Sequence, residues 1–130
     1  MKKSEFNELI KLADEKLRKS NMLRNGSIAE TYDGKTAALS VSVAMSDILP
    51  TLAIYFQDFD AKHPNNPCRR NVLDVVATMI DKPNEDTKFS NAEELMRYSV
   101  SNNADLKHIK RQVTDCAIAL KHVVRTYKLV

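Results

Sequence analysis

The closing stretch, Asn102 to Val130, leaves a chain of this kind few folds to choose from. Ile109, Val113, Cys116, Leu120, Val123 and Tyr127, with Leu106, Ala117 and Val124 beside them, recur every three or four residues, the period of one amphipathic helix. At 100° per residue they occupy an arc of roughly 120°, wide enough to face a core and too wide for a strict coiled-coil seam. Such a rod needs other helices to cover it. With two glycines and four prolines in 130 residues, tight β-turns are scarce, so the sequence predicts an all-α, single-domain bundle of five to six helices.

Charge sorts along the same rod. Lys107, Lys110, Arg111, Lys121, Arg125 and Lys128 fall within roughly 100° of one another beside the apolar arc, and the two carboxylates of the stretch, Asp105 and Asp115, lie elsewhere. Six cations against two anions give net +4 in a chain that is +3 overall, so everything before Asn102 is −1. A face meant only for solvent mixes its signs, whereas Lys107/Arg111 and Lys121/Arg125 are like-charge i,i+4 pairs that oppose the helix. This row is expected to meet a polyanion or an acidic protein surface, with a plainly solvated face as the alternative.

The other elements follow from their punctuation. Phe6, Leu9, Ile10, Ala13 and Leu17 after Ser4 predict a first helix from about Ser4 to Arg24, stopped by Asn25-Gly26. Lys35 to Leu49 is almost continuously apolar and reads as a central helix. Pro50 opens a short, mostly buried one through Phe56. Asp58 to Pro67 is a loop. Asn66 with Pro67 at the first helical position then starts a buried helix reaching Asp81, with Arg69 and Arg70 in the first turn, where cations oppose the dipole. An exposed, mobile connection covers Asp81 to Phe89. Ser90 and Glu93 fit a capping box, and Asn102 or Asn103 is expected to cap the terminal rod.

Few residues here suggest chemistry. His63, His108 and His122 are scattered, Cys68 and Cys116 stand far apart, and no H-E-x-x-H, C-x-x-C, phosphate-loop or nucleophile-elbow motif occurs. The arginine–histidine spacing of small helical ribonucleases is also missing, so the chain reads as a non-enzyme without a cofactor or metal. It has neither a run of about 18 apolar residues nor an uninterrupted apolar leader, which points to a cytoplasmic protein with no membrane partner.

Three stretches carry a family likeness. Tyr32-Asp33-Gly34-Lys35, then Ser46-Asp47-Ile48-Leu49-Pro50-Thr51-Leu52-Ala53-Ile54-Tyr55-Phe56, then Ala117 through Leu129 with Leu120-Lys121 and Arg125-Thr126-Tyr127-Lys128 resemble the small-subunit family of the type III-B CRISPR effector, the Cmr complex. The likeness covers Tyr32 to Phe56 and Gln112 to Leu129 and is only architectural between Gln57 and Asn102. One departure is Asp47, where family members commonly carry glycine. The resemblance implies an all-helical, non-catalytic subunit of an antiviral ribonucleoprotein, present in several copies beside the backbone subunits and helping to hold the duplex of guide RNA and target RNA.

Together these observations nominate Lys107, Lys110, Arg111, Lys121, Arg125 and Lys128, joined by Lys35, Arg69 and Arg70, as contacts to the sugar-phosphate backbone. Phosphate contacts position without specifying sequence, and the chain lacks aromatic platforms for stacking bases. The rival expectation is a helical scaffold whose basic face docks on an acidic partner without touching RNA. A stand-alone regulator would need a helix-turn-helix with a short glycine turn, and none is found.

Overall fold

Ile109, Val113, Cys116, Ala117, Ala119, Leu120, Val123 and Val124 of the last helix, α6 (Leu106–Val124), are all buried, and the remaining helices are arranged to cover them. The computed structural model describes all of residues 1–130. In chain order it comprises α1 (Lys3–Arg18), β1 (Leu23–Arg24), β2 (Ser27–Ile28), α2 (Thr31–Ser46), α3 (Ile48–Gln57), α4 (Arg69–Ala77), α5 (Ala92–Ser99), α6 and β3 (Lys128–Leu129). Six helices hold 60% of the residues, so the expected helical bundle stands. α1 and α2 pack along α6, while α4 touches all five other helices and buries Asn71, Val72, Leu73, Val75, Val76 and Ala77. No helix is long and apolar enough to cross a membrane.

The innermost helix is therefore α4, and not the stretch that the sequence marks as central. α2 buries only Tyr32, Thr36, Leu39 and Val43, one per turn on a single stripe. Its other apolar residues face outward: Val41 is 54% exposed and Met45 82%. α3 is mostly buried, as expected, with Thr51, Leu52 and Tyr55 in the core, and Ile54, 53% exposed, is the exception between Thr51 and Phe56. Apolar residues all round a helix cannot tell which side the core takes.

A small three-stranded sheet was not expected. Asn25 (φ 53°) and Gly26 (φ 76°) both adopt left-handed backbone and form the two-residue turn of a hairpin that pairs Leu23 with Ile28 and Arg24 with Ser27. Asn-Gly is the strongest short hairpin signal because both turn residues must take positive φ; here it makes a hairpin instead of ending a helix. α1 has already stopped at Arg18, where the Ser20 hydroxyl donates to the Leu17 carbonyl at 2.7 Å and accepts from the Met22 N–H. The terminal rod is likewise shorter than expected. Thr126 donates from both its N–H and its hydroxyl to the Val123 carbonyl, closing the last turn. β3 then pairs in parallel with β2, and the Tyr127 hydroxyl donates to Asp14, which also holds Arg18 at 2.9 Å.

The remaining boundaries shift for local reasons. Asp47 (φ 70°, ψ 174°) breaks the chain between α2 and α3 and accepts the Ile48 N–H at 2.8 Å, so Pro50 stands in the first turn of α3 and does not open it. α4 begins at Arg69 because the Asp58 carboxylate accepts the Arg69 N–H at 2.8 Å from across the loop, taking the capping role expected of Asn66. The capping box of α5 lies one residue later than Ser90–Glu93. Asn91 Oδ1 accepts from the Glu94 N–H, and the Glu94 carboxylate accepts from the Ser90 N–H. The tip of the connection, residues 84–87, is exposed as expected, while its ends are tied to the fold: Asp81 and Lys88 bridge, and Phe89 is buried.

At the start of α6 the cap is Asp105, whose carboxylate accepts the His108 N–H at 3.1 Å, and neither Asn102 nor Asn103. Asp105→Ala should lose about 1 kcal/mol in urea unfolding, and Asn102→Ala or Asn103→Ala should leave the midpoint in place. The opposite ranking would mean that α6 starts earlier.

Candidate nucleic-acid interface

The outward side of α6 is set by what flanks it. α2 runs antiparallel to it, with a charged contact at each end. Arg125, the C-cap of α6, donates from Nε to Asp33 Oδ1 at 2.8 Å in the first turn of α2. Lys110 Nζ, one turn into α6, lies 3.3 Å from Asp47 Oδ1 just past the end of α2. On the other flank is α1, where the Phe6 ring meets His122 edge-on at 6.0 Å and Glu5, Glu8, Leu9 and Leu12 share a shallow groove with Arg111, Gln112 and Asp115, the three carboxylates lying beyond 4.0 Å of the Arg111 guanidinium. Between these neighbours the helical register turns Lys107, Arg111, Thr114, Ile118 and Lys121 outward.

Three of the nominated cations stand together there without an answering carboxylate. Lys107 and Arg111 are exposed and Lys121 is half-buried, and every ion pair within 4.0 Å involves other residues. Thr114 and Ile118, which the charge pattern did not single out, sit between them. The Thr114 hydroxyl is spent on the Lys110 carbonyl at 2.8 Å. Both are half-buried.

The other six nominated residues divide differently. Lys110 and Arg125 border the row but are paired with α2, so the repulsion expected between Lys121 and Arg125 is answered within the molecule. Lys128 is not on the rod at all, because α6 has ended and Lys128 lies in β3. Lys35 is two residues from Asp33 and thus roughly 200° away around α2; there its carbonyl accepts from the Tyr55 hydroxyl at 2.7 Å. Arg69 and Arg70 belong to α4 and serve the fold. Arg69 pairs with Asp58 at 3.4 Å, while Arg70 lies over Phe56 and Phe59 at 4.1 and 4.7 Å and donates to the Phe56 carbonyl at 2.6 Å. The cations that oppose the α4 dipole are thus held by a carboxylate and two rings.

No group of three or more His, Cys, Asp and Glu side chains is placed to hold a metal ion. Both cysteines are buried and unpaired, and burial pushes the Cys116 thiol up to about 12, so it stays protonated at neutral pH. His63 pairs with Asp60, His122 meets Phe6 and His108 lies 3.2 Å from the Asp81 carbonyl. No family model matches the chain, and neither a curated protein nor a solved structure matches it.

The contact between Lys110 and Asp47 carries a pH dependence. The Ile48 N–H first, and Lys110 second, hold the Asp47 carboxyl below its ordinary value. A depressed carboxyl pKa contributes stability that is present above the unfolded value, about 3.9, and is lost as pH falls through the folded one. Asp47→Asn should accordingly be less stable than the native chain at pH 7, with the gap closing toward pH 2. A gap that stays constant across that range would remove the ionised carboxylate from the account.

Proposed function

We propose that this chain is the non-catalytic small subunit of a type III-B CRISPR effector, and that Lys107, Arg111 and Lys121 hold the sugar-phosphate backbone of its guide RNA–target RNA duplex. The observation that carries this reading is the row itself: three cations on one outward helix face, with no carboxylate within ion-pair distance. From Lys107 to Lys121 the row is about 21 Å long at 1.5 Å per residue. Double-stranded DNA, the reference polyanion, presents a negative charge every ~1.7 Å, and on that scale such a row meets several phosphates at once. Contacts of this type position a helix without reading bases. They also fall away steeply with salt, so binding would depend on the assembled complex.

Two structural details support the family resemblance from which the name of the complex comes. The resembling stretches, distant in sequence, pack together where α2 lies along α6, with Asp33 reaching Arg125. Asp47, the position at which the family commonly has glycine, takes a backbone conformation (φ 70°, ψ 174°) that essentially only glycine adopts without strain. The departure is thus one of residue and not of backbone. Tyr32, part of the first resembling stretch, is buried and accepts from the Asn71 amide at 2.8 Å, which gives it a structural role.

The test is a triple substitution, Lys107→Glu with Arg111→Glu and Lys121→Glu, in the assembled complex. RNA retention should fall, and the slope of log affinity against log salt should drop by roughly 2–3, about 0.7–0.9 for each phosphate left without its cation. Lys128→Glu should leave that slope unchanged. An unaltered slope in the triple variant would remove α6 from the RNA, and dissociation of a neighbouring protein subunit in its place would favour an acidic protein partner.

A further inference from the structure

Between Lys35 and Asp58 the chain carries one charged residue, Asp47, although much of this stretch is at the surface. Val41, Met45 and Ile54 are 54%, 82% and 53% exposed, and Ala38 and Pro50 are exposed as well. These side chains form one surface. Ser42 and Thr51 share a hydrogen bond of 2.8 Å that fixes α2 against α3. Helical spacing puts Ala38 and Met45 one turn either side of Ser42, and Ile54 one turn beyond Thr51, on the side away from the buried stripes Leu39–Val43 and Leu52–Tyr55. From Gly34 to Met45 the strip runs about 16 Å, three helical turns.

Its borders are unequal. α3 carries no charge at all. On the α6 border, the antiparallel register set by Arg125–Asp33 and Lys110–Asp47 brings unpaired Lys121 level with Ala37 and the small Thr114 level with Ala44. Phosphate groups do not cover aliphatic side chains, and the strip has no aromatic ring to stack a base. A contiguous exposed apolar strip with a cation on one edge fits the amphipathic helix-in-groove mode, in which anchors recur at i, i+3 and i+4.

We propose that this face of α2 and α3 is a docking surface for an amphipathic helix of a partner protein, whose apolar stripe is bordered by Asp or Glu on the edge that meets Lys121. It shares Lys121 with the α6 row, so the docked helix and the RNA backbone would meet at that one side chain, and the peptide titration is run on the free chain without RNA. Met45 and Val41 enter the stripe of the partner, and Lys121 pairs with its acidic edge and so sets its direction. The flat centre, Ala37, Ala38 and Ala44, lets the two backbones approach closely.

Two synthetic helical peptides of roughly 18 residues, long enough to be helical when bound, probe this surface. They share one leucine stripe and carry either Glu or Lys along one edge. Titrated into the full chain with methyl groups observed by NMR, the Glu peptide should shift Val41, Met45 and Ile54 and bind at least tenfold more tightly than the Lys peptide. Met45→Glu, a change at a site that the fold leaves open to solvent, should abolish these shifts while leaving the salt slope of RNA retention intact. Equal affinity for the two peptides, no shifts, or shifts elsewhere would overturn the proposal. So would concentration-dependent broadening of the same methyls before any peptide is added, since a second copy would then be the occupant.

Discussion

Burial of α6 across a broad arc is the constraint on which the rest of the molecule depends. Eight of its side chains, from Ile109 to Val124, are withdrawn from water, and α1, α2 and α4 are the surfaces that take them in. Truncating the larger of these, Ile109 or Leu120, to alanine in a packed core costs about 2–5 kcal/mol. An exposed ion pair contributes at most about 1 kcal/mol, so Arg125–Asp33 and Lys110–Asp47, half-exposed at their cationic ends, set the register of α2 more than they hold it. Apolar contact supplies the adhesion, and charge chooses the alignment.

That division explains why the basic residues of one helix have different roles. With α1 on one side and α2 on the other, only a narrow sector of α6 reaches solvent. Cations at the α2 edge find Asp33 and Asp47, and those in the middle have no carboxylate within 4.0 Å, although Glu5, Glu8 and Asp115 line the same groove as Arg111. The repulsion left between Lys107 and Arg111 is a small standing cost, a few tenths of a kcal/mol for an i,i+4 pair, which an external anion would relieve. The neighbouring face of α2 is exposed for a related reason: this helix needs only one stripe for the core, and the residues around the rest of its circumference are apolar without being covered.

The sequence made the fold legible wherever periodicity and charge agreed. α6 was plain because its apolar arc and its polar sector are separate, α4 could be placed from its apolar residues, and α5 from its capping signal, one residue off. α2 was legible as a helix but not in its orientation, because alanine, valine and serine on every side give no direction to the core. The Asn25-Gly26 hairpin and β3 are only two residues per strand, too short for an alternating pattern. In the candidate site, the row Lys107, Arg111, Lys121 could be read from one helix. The pairing of Lys110 and Arg125 could not, since Asp47 and Asp33 are 63 and 92 positions away in sequence. Arg69 and Arg70 looked available because their partners, Asp58, Phe56 and Phe59, come from the preceding loop and helix.

The cations of α6 are partitioned: Lys110 and Arg125 are used within the chain, and Lys107, Arg111 and Lys121 are left for an external anion, proposed above to be RNA. The most direct measurement is the reactivity of each lysine of the assembled complex toward an amine-acylating reagent, read by mass spectrometry before and after nuclease digestion. Lys107 and Lys121 should be protected while the RNA is present and become reactive once it is removed, with Lys110, Lys35 and Lys128 reacting alike in both states. Equal reactivity of Lys107 and Lys121 with and without RNA would contradict the account.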